Sequence, residues 1–143
     1  MKSILLTVYC LLLSISLFSQ SDNVVGGYFH TTGDKEEHLI EYSLTLYEDG
    51  TFSFHSYVNH SKGISWEENK YGKGNWSRDG KIVSFFTDKE KDIDEKHTLD
   101  FSDSKARFIT RPARDKTDRI IKTRLRFFES KIFWIERMKI FKK

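Results

Sequence analysis

Three sets of residues carry the chemistry available to this 143-residue chain: a histidine pair, a carboxylate among aromatics, and a basic final third. His38 and His60 bound the stretch HLIEYSLTL, YEDGT, FSFHSYVNH, two alternating runs flanking Asp49-Gly50. That pattern is a strong signal for an antiparallel hairpin. Paired about its turn, the two histidines face each other at the open end. Facing imidazoles can hold zinc or copper once a third ligand comes close, and Glu36, His30 and His97 are the candidates. No short ligand spacing supports a site, so two solvated rim histidines are the simpler reading. No metal is assigned.

Glu136 lies between Trp134 and Met138 on the side expected to face inward. A buried carboxylate must be hydrogen-bonded, paired or protonated. Thr123 is its expected cross-strand partner, and Tyr42, Ser56 and Ser84 also point inward in the expected registers. Sparse polar groups set among Phe54, Leu125 and Trp134 are what a pocket for a small apolar or amphipathic ligand needs. An internal salt bridge to an arginine, or a strand end reaching water, would explain Glu136 equally simply.

Charge is unevenly placed. Residues 21–105 hold 10 Lys+Arg against 17 Asp+Glu, net −7, whereas residues 106–143 hold 13 against 4, net +9. Lys122, Arg124 and Arg126 share the outer face of one expected strand, with Arg137 and Lys139 on its partner. Arg111, Arg114 and Arg119 lie close by in sequence, and Phe128, Phe133 and Ile135 are interleaved. Such a face suits an anionic envelope component, a lipid headgroup or acidic glycan, or the chain's own acidic half. A plain solvated face is the common alternative. Nucleic acid is not expected of an exported chain. No Ser-His-Asp ordering, phosphate loop or paired catalytic carboxylates stand out, so no catalytic residue or cofactor is assigned.

The elements that must position these residues are strands. Residues 1–20 carry one early lysine, the apolar run Ile4–Phe18 and then Ser19-Gln20, which reads as a secretory signal peptide. The expectation is export to the periplasm or the outside. The only cysteine, Cys10, lies in that leader without a lipid-attachment pattern, so residues 21–143 have no thiol chemistry. Those 123 residues suit one domain, and 15% aromatics supply its core.

In the first hairpin Leu46 faces Phe52, Leu44 Phe54, Tyr42 Ser56 and Ile40 Val58, all on one face. A second hairpin, turning at Arg78-Asp79-Gly80, sets Trp76 against Ile82, Gly74 against Ser84 and Gly72 against Phe86. Gly72 and Gly74 leave room beside Trp76 for a large neighbour or a cavity. A third pairs His97–Phe101 with Lys105–Thr110. The last, through Glu129-Ser130, sets Phe127 against Ile132, Leu125 against Trp134, Thr123 against Glu136 and Ile121 against Met138. Trp66 falls in a loop, where it would cap the core. Period-2 alternation dominates, with short connections throughout. The expected architecture is all-β: an antiparallel up-and-down meander of eight or nine strands closing into a barrel.

Leu44-Thr45-Leu46, Asp49-Gly50-Thr51-Phe52, Gly74-Asn75-Trp76 and Asp79-Gly80-Lys81-Ile82-Val83 together resemble small bacterial lipocalin-like β-barrels. They are also similar to the N-terminal barrel of NlpE-type copper-resistance lipoproteins. The likeness covers Val24 to Thr87. The paired and lipidated cysteines of those lipoproteins are absent, so their metal and signalling roles do not carry over. The Gly-x-Trp of lipocalins is Gly26-Gly27-Tyr28 here. The resemblance implies a lipocalin-like barrel and, generically, ligand binding. The alternative is a non-enzymatic envelope structural or interaction protein with a filled core and a basic amphipathic face.

Overall fold

A computed structural model describes residues 23–143; the expected signal peptide, residues 1–20, lies outside them. Among the described residues the chain forms β1 (Gly26–Asp34), β2 (His38–Leu46), β3 (Thr51–His60), β4 (Trp66–Asp79), β5 (Ile82–Phe86), β6 (His97–Leu99), β7 (Ser104–Ile109), β8 (Arg124–Glu129) and β9 (Lys139–Lys142). Each of β1 to β5 and then β7 to β9 pairs antiparallel with the next, and β9 returns to β1. Eight strands thus close a lipocalin-like barrel without a free edge between first and last. The ninth, β6, lies parallel against β4.

The first hairpin holds the expected register throughout, from Leu46 opposite Phe52 to His38 opposite His60. Gly50 takes φ +84°, which only glycine adopts freely, and Tyr47 N–H donates to the Thr51 carbonyl at 2.9 Å. The second hairpin departs from expectation. Asp79 faces Ile82 and Trp76 faces Phe85, so the loop is two residues, Gly80-Lys81, with Gly80 at φ +58°. A glycine at the first position of a two-residue loop matches the strands' twist. The odd shift turns β5 over. Val83 and Phe85 become fully buried, while Ser84 and Phe86 face outward.

Two further expectations are corrected. His97–Phe101 does not pair with Lys105–Thr110. Thr87 ties that segment down instead, its hydroxyl accepting from Phe101 N–H at 3.0 Å and donating to the Lys73 carbonyl at 3.2 Å. Phe101 then drops into the barrel over Gly72. The last hairpin is also shorter: Leu125 faces Ile140, and Arg126 faces Lys139. Residues 130–138 form a compact turn in which the Ile132 carbonyl accepts from Ile135 and Glu136, and the Ile135 carbonyl accepts from Met138. That three-residue period buries Ile135 and Met138 at the barrel mouth and leaves Phe133 and Glu136 outside. Alternation in the sequence could not distinguish it from a strand, since IFWIERMKI fits either period.

The interior is filled. Tyr28, Leu44, Phe52, Phe54, Val83, Phe101, Leu125, Phe127, Ile135 and Ile140 are essentially inaccessible. Phe101 meets Phe52 at 5.2 Å and Phe54 at 5.0 Å between ring centroids, and Phe52 meets Phe85 at 5.0 Å. Edge-to-face and tilted contacts of this kind add to the burial of each ring. Trp76 and Trp134 are partly buried against this core rather than inside it.

Candidate functional site

The barrel is uneven at the end where β1 turns into β2. Strand β9 pairs with β1 only at Tyr28 and Phe29, so β1 runs on from His30 to Asp34 beyond it. The compact turn of residues 130–138 fills part of the opening. A surface cleft of about 470 Å³ remains, lined by His30, Thr32, Tyr42, Trp134, Glu136, Arg137, Met138, Lys139 and Phe141.

Aromatic rings form one wall. Tyr42 stacks on Trp134 at 5.7 Å with 17° between planes, and His30 lies parallel to Tyr42 at 6.5 Å. Phe141 closes against His30 at 5.9 Å. Beneath the wall, Phe54 contacts both Tyr42 and Trp134, joining it to the core. Lys70 places its ammonium 5.9 Å from the Trp134 ring. Burial pushes the Tyr42 phenol up from its ordinary pKa, keeping it a neutral donor. Its hydroxyl has no hydrogen-bond partner among the described residues.

The expected pocket residues separate into four places. Tyr42, Trp134 and Glu136 line the cleft, Phe54 packs against Tyr42 and Trp134, and the buried Ser56 lies opposite Tyr42 in the ladder. Leu125 is buried in the core, opposite Phe108 and Ile140. Ser84 and Thr123 are corrections. Ser84 faces outward between Ser77 and Lys105 because of the Gly80-Lys81 loop. Thr123 precedes β8 at the other end of the barrel, where its carbonyl accepts from Lys142 N–H. Glu136 is corrected in environment: it is exposed at the rim, because the turn replaces the strand expected to bury it.

His30, Arg137, Lys139 and Phe141 belong to the cleft although none is expected there from sequence, which offers His30 as a metal ligand and Arg137 and Lys139 as outer-face cations. A signal for His30 existed: it follows Tyr28 by two residues, and Tyr28 faces inward opposite Leu44. The other three depend on where the 130–138 turn ends.

His38 and His60 do face each other, Nδ1 to Nδ1 at 3.2 Å, with Trp66 stacked on His60 at 5.7 Å. Trp66 therefore opens β4 at the rim instead of capping the core from a loop. Of the candidate third ligands, His30 lies at the cleft and His97 is held by Asp94 at 3.0 Å. No group of three metal-binding side chains occurs among the described residues.

The basic outer face is partly as expected. Arg107, Arg126 and Lys139 stand in one cross-strand row over β7, β8 and β9. Arg126, Arg107, Arg137, Glu136 and Phe128 line a second cleft of about 450 Å³. Ile135, expected outside, is fully buried, whereas Phe133 is 84% exposed. Comparison with protein-family models, curated proteins and solved structures gives no match for the chain.

Proposed function

We propose that this protein is a non-enzymatic, exported small-ligand-binding barrel whose site is the rim cleft. The reading rests on one observation: the Tyr42–Trp134 stack, partly open to solvent and flanked by His30 and Phe141. A partly open aromatic wall backed by a packed core suits the flat apolar part of a small amphipathic molecule. The Tyr42 hydroxyl and Glu136 offer a donor and an acceptor for its polar end. Export follows from the leader-like residues 1–20 alone.

The test is binding of N-phenyl-1-naphthylamine, a neutral, flat fluorescent probe. The native chain should bind one equivalent, and Trp134→Ala should weaken binding at least tenfold while keeping a strand-type circular dichroism spectrum. Equal binding by both proteins would move the site elsewhere, and native mass spectrometry of protein from its own host would then identify any carried molecule. A second reading, an envelope interaction protein, is favoured by the filled interior and the row of unpaired basic groups on the outer face.

A further inference from the structure

We propose that the outer face of β7 and β8 carries a binding site for a phosphate group, made by Arg107, Arg126 and Arg137. The inference does not rest on a ligand in the rim cleft, although Glu136 and Arg137 line both clefts. Arg126 has Arg107 directly opposite on one side and Lys139 directly opposite on the other. Like charges placed opposite each other in a ladder oppose pairing. Nearby basic residues avoid this cost. Lys105 reaches Glu129 at 3.8 Å, Lys131 reaches Asp103 at 2.9 Å and Arg119 reaches Asp115 at 3.0 Å. Among the described residues, Arg107, Arg126, Arg137 and Lys139 make no ion pair and no side-chain hydrogen bond.

The backbone supplies a second, separate observation. Arg137 N–H donates to the Phe127 carbonyl at 3.0 Å, while Phe127 N–H donates to the Met138 carbonyl at 2.9 Å. Two residues thus oppose one, which is a β-bulge, a device that re-aims a side chain. Arg137 takes φ +73° there, a conformation that glycine adopts without strain and arginine does not. The backbone would be better served by glycine, so the guanidinium is the part of this residue that the position uses. It lines the same cleft as Arg107 and Arg126.

The charge of the cleft selects the ligand. Three guanidiniums and the Glu136 carboxylate leave a net charge of +2 among its lining residues. A phosphate monoester carries about −1.5 to −2 at neutral pH, and its oxygens accept paired N–H donors from planar guanidiniums. Phe128, 43% exposed beside them, gives the attached organic part an apolar contact. A soluble phosphate monoester and a lipid headgroup present the same oxygens to these guanidiniums.

Inorganic phosphate titrated into residues 21–143, the chain without its expected leader, at constant ionic strength tests the site. Arginine Nε–H resonances of Arg107, Arg126 and Arg137 should shift and saturate together. Arg126→Gln and Arg137→Gly should each weaken binding at least tenfold. Without phosphate, both variants should melt at or above the native temperature, because one removes repulsion and the other removes backbone strain. Lys62→Gln, which removes a positive charge elsewhere, should bind within twofold of native. Shifts no larger than those produced by chloride, or native-like phosphate binding by Arg126→Gln, would overturn the proposal. Sedimentation with phosphatidic acid vesicles but not phosphatidylcholine vesicles, abolished by Arg126→Gln, assigns the phosphate to a lipid. Phosphate binding without sedimentation assigns it to a soluble molecule, and sedimentation that survives Arg126→Gln counts against the site.

Discussion

Replacing Gly72 by alanine measures whether the barrel interior is full. A Cβ at Gly72 would lie 2.6 Å from Phe101 Cε2, 2.9 Å from its Cδ2 and 3.2 Å from Leu99 Cβ. The optimum separation of two carbons is about 3.5 Å, so the ring must retreat by roughly 1 Å. It has nowhere to go: Phe101 is fully buried and touches Phe52, Phe54 and Phe85. Overpacking of this kind costs about 1–3 kcal/mol. Alanine also restricts the unfolded chain, which offsets about 0.4–1 kcal/mol. A net loss of about 1–2 kcal/mol should result, and the melting temperature should fall by about 5 °C for a domain of this size. Urea unfolding followed by tryptophan fluorescence reads the loss directly. Phe101→Leu in the same background should recover part of it, giving a coupling of about 1 kcal/mol in the double-mutant cycle. Unchanged stability in Gly72→Ala, with an additive cycle, would mean slack inside the barrel and would reopen an interior ligand cavity.

Two further predictions concern ionisation. Tyr28 is fully buried and donates to the Val24 carbonyl at 2.5 Å, and burial drives its phenol well above the ordinary range. With a folded pKa above the unfolded value near 10, its contribution is complete below about pH 10 and is lost as pH rises further. Tyr28→Phe should cost about 1–2 kcal/mol at neutral pH by leaving that carbonyl unpaired, and should flatten the alkaline fall in stability measured by urea unfolding. Asp94 is held well below the usual carboxylate range, first by the His97 N–H and then by the His97 ring and Lys96 N–H. Its stabilisation is present above about pH 3.9 and is lost as pH falls toward the lower folded value. The Asp94 carboxyl carbon should therefore keep its ionised chemical shift at pH 3, and an ordinary titration midpoint would show that the 94–97 turn is not held as described.

Local alternation gave strand class, and short connections pointed to a closed barrel. The β2–β3 register follows because a one-residue slip would turn Leu44 and Leu46 away from the face of Phe52 and Phe54, and the Asp49-Gly50 turn excludes longer slips. It also placed His38 opposite His60 and Arg126 among outward-facing cations. What it could not decide was the length of a loop or the end of a strand. The chain can turn in three residues, Arg78-Asp79-Gly80, or in two, Gly80-Lys81, and that difference moved Ser84 from inside to outside. IFWIERMKI is apolar at two periods, and only docking of Ile135 and Met138 on the open mouth selected the turn. That choice exposed Glu136, put Arg137 in a bulge and left Trp134 at the rim beside Tyr42. Hairpin registers are set by contacts between neighbours in sequence, whereas the rim cleft lies where β9 and its preceding turn meet β1, and the second cleft where that turn meets β7 and β8. Those contacts join residues about a hundred positions apart in one case, and only burial summed over the closed barrel determines them.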